Sequence, residues 1–210
     1  AVRGRMRWSP RKSLWLLSMN AGAIAGLVFF LTPATLALFA VTTGMVICFG
    51  HSLGMHRRLI HHSFDCPRWV EYVMVYLGTL VGLGGPMTMI YTHDLRDWAQ
   101  RKSSCHPFFS HQSPMWRDAW WQMHCDIELA DPPVLDIESR VADDRFFRFL
   151  EKTAKWQQIP WALIFYALGG WGWVLFGICL RVTASVTGHW LVGYYAHRQG
   201  HQDWIVSTSG

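Results

Sequence analysis

The sequence has few charged residues and no paired cysteine motif. Only 16% of its 210 residues are Asp, Glu, Lys or Arg, against about 25% in an ordinary soluble domain. The five cysteines form no Cys-x-x-Cys pair, which argues against a disulfide framework and a zinc knuckle. The chain is instead 51% hydrophobic and contains 13 tryptophans. This composition excludes intrinsic disorder and indicates more apolar surface than one soluble core of this length can bury.

Charge is also missing from a long stretch near the N-terminus. No Asp, Glu, Lys or Arg occurs between Ser13 and His56, a run of 44 residues, and one membrane span needs about 20. Two spans, near 13–31 and 34–55, therefore fit, with Pro33 between them. Basic residues precede the first span and follow the second, which predicts a cytoplasmic N-terminus. The basic residues show no pattern typical of nucleic-acid binding, and we expect no such partner.

A second apolar region predicts another pair of spans, near 158–171 and 172–192, with Gly169 and Gly170 at the break. Residues 69–92 are apolar but carry Glu71 and lie between polar segments, which favours an interfacial or re-entrant helix. Residues 93–155 are polar and predict a cytoplasmic cap. The fold class expected for 1–210 is an all-α membrane protein, in which four transmembrane helices form two hairpins with a cytoplasmic helical cap.

The 11 histidines are not scattered along this topology. They occur at the predicted cytoplasmic ends of spans and in the cap: His51, His56, His61, His62, His93, His106, His111, His124, His189, His197 and His201. Imidazole suits iron, copper, nickel and zinc, and ionisable groups at membrane depth are usually functional. The pattern predicts a metal site at the inner face of the membrane.

Spacing constrains which histidines can share an ion. His56 and His61 differ by about 140° on an ideal α-helix, so both can aim at one ion only if the helix ends between them. His93 and Asp97 share a helix face, as a ligand pair or a hydrogen-bonded pair; a surface Asp–Arg pair is the alternative. His189 and His197 differ by about 80° and can both lean toward one cavity.

These motifs resemble those of the membrane fatty acid desaturases, particularly the acyl-CoA type of delta-9 desaturase. The segment from Gly54 to Phe64 is similar to that family's first histidine box, and His93-x-x-Arg96-Asp97 lies where the second box is found. The run from Gly188 to Gly200 lies where the family has Asn-x-x-x-His-x-x-Gly, although the Asn is replaced by Gly193 if His197 is the equivalent histidine, or by Ser185 if His189 is; the spacing to Gly200 favours His197. The resemblance covers about residues 20–205, in order.

Two departures from the family pattern stand out. Arg96 and Asp97 replace the last two imidazoles of the second box, so that either Asp97 supplies a carboxylate ligand or His106 folds back as a ligand. The third box, His-x-x-His-His, does not occur in the chain. The resemblance therefore predicts that the chain is truncated at its C-terminus.

The resemblance implies an O2-dependent oxidoreductase with two iron ions, which makes a cis double bond in a fatty acyl-CoA or acyl-lipid. Electrons would come from a ferredoxin-, rubredoxin- or cytochrome b5-like donor, and the protein would lie in the bacterial inner membrane with its metal site cytoplasmic. No catalytic residue beyond the ligands is expected. The implied metal ligands are His56, His61, His93, His197, His189, Asp97 and His106. Residues of the cap expected to contact a CoA or lipid phosphate are Trp98, Arg101, Lys102 and Arg117.

Three other functions remain open from the sequence. A membrane di-iron hydroxylase uses the same kind of histidine-rich site and inserts oxygen instead of forming an alkene. A haem-binding membrane electron carrier needs axial histidines buried within opposing spans, whereas these lie at span ends. In a membrane scaffold the histidines would be incidental.

Overall fold

A computed structural model describes residues 2–196, and these are mainly helical. The N-terminal elements are β1 (Gly4–Trp8), α1 (Pro10–Phe29) and α2 (Pro33–Gly44), which continues as a π-helix (Met45–Ile60). The middle of the chain forms α3 (Arg68–Thr79), α4 (Pro86–Gln100), α5 (Pro107–Ser110), α6 (Met115–His124) and β2 (Cys125–Leu129). The later elements are α7 (Ser139–Ala142), α8 (Arg145–Thr153), a short 3₁₀-helix (Ala154–Gln157), α9 (Gln158–Val174), a second π-helix (Leu175–Leu180) and α10 (Arg181–Ala196).

Three helical stretches of residues 2–196 are long and apolar enough to cross a membrane: Pro10–Phe29, Pro33–Ile60 and Arg145–Ala196. The first two agree with the predicted spans, and Thr32 caps the second through reciprocal hydrogen bonds with Thr35. The third holds both remaining predicted spans. Its backbone is non-helical at Gly169 and Gly170, where φ is +66° at Gly170, so a break lies where the sequence predicts one. The four-span topology itself stays a prediction.

The chain divides into two compact units. Among the described residues, the first contains 2–16, 93–135 and 187–196, and the second contains 17–92 and 136–186. The predicted cap 93–155 is therefore shared between them.

The first unit contains a small antiparallel sheet. β1 pairs with β2 in a register that places Arg5 opposite Glu128 and Met6 opposite Ile127. Arg5 and Arg7 both donate to the Glu128 carboxylate at 2.9 Å. The mainly helical fold agrees with the prediction, but this sheet was not predicted, because the N-terminal arginines, interpreted only as a topology signal, alternate along a strand and pair across it with an acidic partner.

In the second unit the π-helix packs closely against α3. A Cβ atom on Gly50 would lie 2.3 Å from the backbone nitrogen of Gly78, and one on Gly54 would lie 2.7 Å from Met74. Only glycine permits this approach of two backbones. The predicted helix 69–92 is in fact two helices, α3 and α4, because Gly82 and Gly84 adopt positive φ between them.

Candidate metal centre

Two of the predicted ligands meet at the end of the π-helix. In a π-helix each N–H bonds to the carbonyl five residues earlier, and the N–H of His61 donates to the carbonyl of His56 at 3.0 Å. The two side chains therefore lie on neighbouring turns, with their Nε2 atoms 3.2 Å apart. The helix does end between them, at Ile60, as expected. A prediction based on the α-helix, with 3.6 residues per turn, does not anticipate the π-type winding that brings them together.

A third histidine completes a group with ligand atoms close enough to hold one ion. His56, His61 and His93 each offer a ring nitrogen, and these atoms all lie within 4.8 Å of one another. His93 lies in the middle of α4, directly after Thr92. Within residues 2–196 this is the one group of three or more metal-binding side chains that meets this distance.

The donor set and the spacing suit a transition metal. Two nitrogens that each lie about 2.1 Å from one ion are roughly 3.0 to 3.4 Å apart at coordination angles of 90° to 109°. The 3.2 Å between the Nε2 atoms of His56 and His61 falls in that range. Imidazole binds iron, copper, nickel and zinc, so the residues fit an iron ion without selecting it.

The start of α4, the helix that carries His93, is held by a carboxylate from α8. Glu151 accepts hydrogen bonds from the backbone N–H groups of Met87 and Thr88 at 2.8 and 3.1 Å, and from the Thr88 hydroxyl. A negative group is stabilising there because the first N–H groups of a helix have no partner within it. A Cβ on Gly85 would lie 2.5 Å from the Cα of Glu151, so α8 approaches the start of α4 closely.

A buried carboxylate ties the end of the π-helix to α3. Glu71 is 1% exposed and accepts from Arg140 at 2.6 Å and from Arg68 at 2.9 Å. Arg58, two residues after His56, lies 3.8 Å from the same carboxylate. Burial alone would raise the pKa of Glu71, but the hydrogen bonds from Arg140 and Arg68 outweigh it and lower the pKa below its usual value.

The other predicted ligands have different placements. Asp97 lies with one carboxylate oxygen 3.6 Å from Nδ1 of His93, beside the three-histidine group. His106 caps α5, where its Nδ1 accepts from the N–H of Phe108 at 3.1 Å, and burial lowers its pKa. His189 is exposed in α10 and does not belong to the group. His197 lies outside the described residues.

The residues predicted to contact a phosphate are not drawn into one cluster. Lys102 lies over the Trp98 ring at 5.3 Å, and Trp98 packs against the apolar core of the first unit. Arg117 lies over Trp116, also at 5.3 Å. Arg101 is exposed. Their role as substrate contacts stays a prediction.

A buried polar cluster in the first unit lies outside the residues predicted from the sequence. His111 and Asp118 are 1% and 0% exposed, and Nδ1 of His111 lies 2.8 Å from the Asp118 carboxylate. Arg96 joins them from α4. The residues form no recognisable motif, and the left-handed backbone of His111, at φ +52°, becomes visible only in the structure.

Comparison with known proteins identifies relatives of consistent description, although no protein-family profile matches the chain. It is 29% identical over 195 residues to the sn-1 stearoyl-lipid 9-desaturase of Anabaena variabilis, which covers 90% of this chain and 69% of that protein. It is 30% identical over 164 residues to the sn-1 stearoyl-lipid 9-desaturase of Synechocystis, covering 78% and 49%.

A plant protein gives a similar result. The acyl-CoA 5-desaturase AL21 of Anemone leveillei is 27% identical over 162 residues, covering 74% of this chain and 48% of that protein. The chain thus spans about half the length of two of these three relatives.

Proposed function

Because the chain belongs to the fatty acid desaturase family, we propose that it is the membrane part of an O2-dependent desaturase that introduces a cis double bond into a fatty acyl chain. The acyl group would be carried on a lipid or on CoA, as in the names of the relatives. The observation that carries the proposal is the group formed by His56, His61 and His93, since it supplies the metal-binding chemistry that this reaction needs.

An unactivated methylene group offers no acid, leaving group or electrophile, so side chains alone cannot attack it. Iron held by the histidines would supply the oxidative chemistry, as cofactors generally do in such reactions. Removing two hydrogens from the acyl chain releases two electrons. Reducing O2 to two waters takes four electrons and four protons, so the donor supplies the other two electrons. A ferredoxin-, rubredoxin- or cytochrome b5-like protein would deliver these two electrons one at a time.

The residues of this chain would bind the iron and the substrate and would orient the ligand side chains. His56, His61 and His93 would hold iron as neutral imidazoles, and the Asp97 carboxylate, 3.6 Å from His93 Nδ1, would favour that ring's orientation through its negative charge. We propose His197 and His189, with Asp97 and His106, as sources of further ligands for a two-iron centre. Trp98, Arg101, Lys102 and Arg117, which do not form one cluster, stay candidates for separate contacts with a CoA or lipid phosphate. We place the protein in the bacterial inner membrane with the metal site on the cytoplasmic side.

The test uses membranes containing the full-length protein, supplied with saturated acyl substrate, O2 and a reducing system. Wild-type membranes should yield an alkene with a cis double bond, and the purified protein should contain iron. His56→Ala and His61→Ala should each lower the iron content and the yield by at least tenfold, because each removes one ligand nitrogen. Product analysis by gas chromatography and mass spectrometry, with iron measured separately, reads the two effects independently.

A matched control lies beside the second ligand. Nε2 of His62 lies 3.4 Å from the Glu138 carboxylate, and its Nδ1 lies 3.4 Å from Nη2 of Arg140. The φ of His62 is +49°, which asparagine tolerates well. His62→Asn should retain iron and activity. If the product is hydroxylated and contains no alkene, the protein is a hydroxylase and not a desaturase. If both alanine variants retain their iron, His56 and His61 are not its ligands.

A further inference from the structure

Arg96 lies at the centre of the buried cluster that the metal centre does not use. Its Nη1 donates to Nε2 of His111, and its Nη2 donates to Oε1 of Gln122 at 3.2 Å. A guanidinium group can only donate, so Nε2 of His111 is the acceptor and the ring proton lies on Nδ1. That proton is donated to Asp118 at 2.8 Å. A neutral imidazole thus connects a cation and an anion inside the first unit.

The cluster binds α4 to the segment that follows it. Asp118 and Gln122 belong to α6, and Gln122 also donates to the Phe108 carbonyl in α5 at 2.6 Å. One turn beyond Arg96, Gln100 donates to the Phe109 carbonyl at 2.9 Å. Positions 96 and 100 lie on one face of a helix. Two adjacent anchors on that face oppose rotation of α4 about its axis.

His93 precedes Arg96 by three residues and lies within about 60° of it around the helix axis. A helix rotation of about 20° moves an atom ~5.5 Å from the axis by about 2 Å, which is as long as a metal–nitrogen bond. The direction of the His93 ring therefore depends on what holds α4 against rotation. Asp118 and His111 are almost wholly buried. A rotation of α4 that separates Arg96 from them would leave buried polar groups without their partner, which is strongly unfavourable. The cluster therefore resists that rotation.

We propose that Arg96 is a positioning residue for the metal centre, which fixes the rotation of α4, and with it the aim of His93, through His111 and Gln122. The inference rests on the proposed metal centre and adds to it a residue that acts through the orientation of a ligand. Arg96 is suited to it because a planar guanidinium holds two acceptors in a fixed fork geometry, whereas the three donors of a lysine ammonium rotate freely about one compact centre.

The test compares Arg96→Gln and Arg96→Lys with wild type in the purified full-length protein. Co(II) serves as the probe, with its affinity measured by competition with a chelator and its ligand-field spectrum recorded. We expect Arg96→Gln to bind Co(II) about tenfold more weakly, at the lower end of the effect of residues that orient ligands, with shifted visible bands. Arg96→Lys should be intermediate in affinity. Arg148→Gln is the control, since Arg148 is an exposed arginine of α8, and it should match wild type.

A merely structural role would lower the melting temperature and leave the spectrum of the folded protein unchanged, and that result overturns the inference. Arg96→Lys retains the charge, so it provides a folded comparison if Arg96→Gln fails to fold. A wild-type spectrum and affinity for Arg96→Lys would then overturn the inference. If wild type binds no Co(II), the proposed metal centre fails. The anchor is then read from amide hydrogen exchange at positions 93–100, which should be faster in either Arg96 variant than in wild type.

Discussion

Neutralising Glu71 should destabilise the protein more than neutralising any exposed carboxylate near it. The Glu71→Gln side chain keeps the shape but loses the charge that faces Arg140 and Arg68, and Arg58 stands 3.8 Å away. Breaking a buried ion pair costs about 3 to 5 kcal/mol. Arg68 and Arg140 are about one-third exposed, so water replaces part of what they lose. We expect a loss of about 3 kcal/mol in the free energy of unfolding.

The assay is thermal unfolding of the detergent-solubilised protein, followed by tryptophan fluorescence. For a chain of this size, 3 kcal/mol corresponds to roughly 6 to 12 °C in melting temperature. Glu138→Gln is the control, because Glu138 is 59% exposed and lies 3.6 Å from Arg140, and it should lose less than about 1 kcal/mol. Equal melting temperatures for the two variants would refute the reasoning.

The same interaction predicts a pH dependence with a definite sign. The pKa of Glu71 is lower in the folded protein than its usual value, so its contribution to stability is present above the unfolded pKa. It is lost as the pH falls through the folded pKa. The difference in melting temperature between wild type and Glu71→Gln should therefore be constant near neutral pH and shrink only in acid. A difference that grows on acidification would contradict this.

Two further substitutions test how the site is held. Gly50→Ala places a methyl group against the backbone of Gly78 and should destabilise by about 3 kcal/mol, at the upper end for overpacking. Gly44→Ala meets nothing within 4 Å and should be neutral or stabilising by up to about 1 kcal/mol; similar melting temperatures for the two would show that the close approach is absent. Glu151→Gln weakens the cap at the start of α4 and should cost about 1 kcal/mol. Amide exchange at Met87 should be faster in that variant, and unchanged exchange would exclude the cap.

Features that depend on neighbouring residues were predictable. The charge-free run places two spans before His56, and Pro33 divides them where Thr32 caps the second helix. The break at Gly169 and Gly170 also follows from local backbone preferences. The resemblance to the desaturases, rather than local spacing, implied His56, His61 and His93 as ligands, and the structure brings these three side chains together.

Features that depend on distant partners were not predictable. In the sequence, Glu71 is an isolated charge in an apolar segment. Its partner Arg140 lies 69 residues away, so a local pattern does not show the pair. Arg5 meets Glu128 across 123 residues and turns a topology signal into a strand. His111 and Asp118 have no motif, and only burial with Arg96 gives them a role.

Hydrophobic length, proline and glycine act over a few residues, so the chain alone indicates roughly where the apolar helices lie and which residue types can bind a metal. The aim of the ligands depends on contacts that form only in the folded protein. The π-type winding that brings His61 back to His56 occurs where that helix packs on α3. The anchors of α4, Glu151 and Arg96, work through side chains that folding alone brings within hydrogen-bond distance.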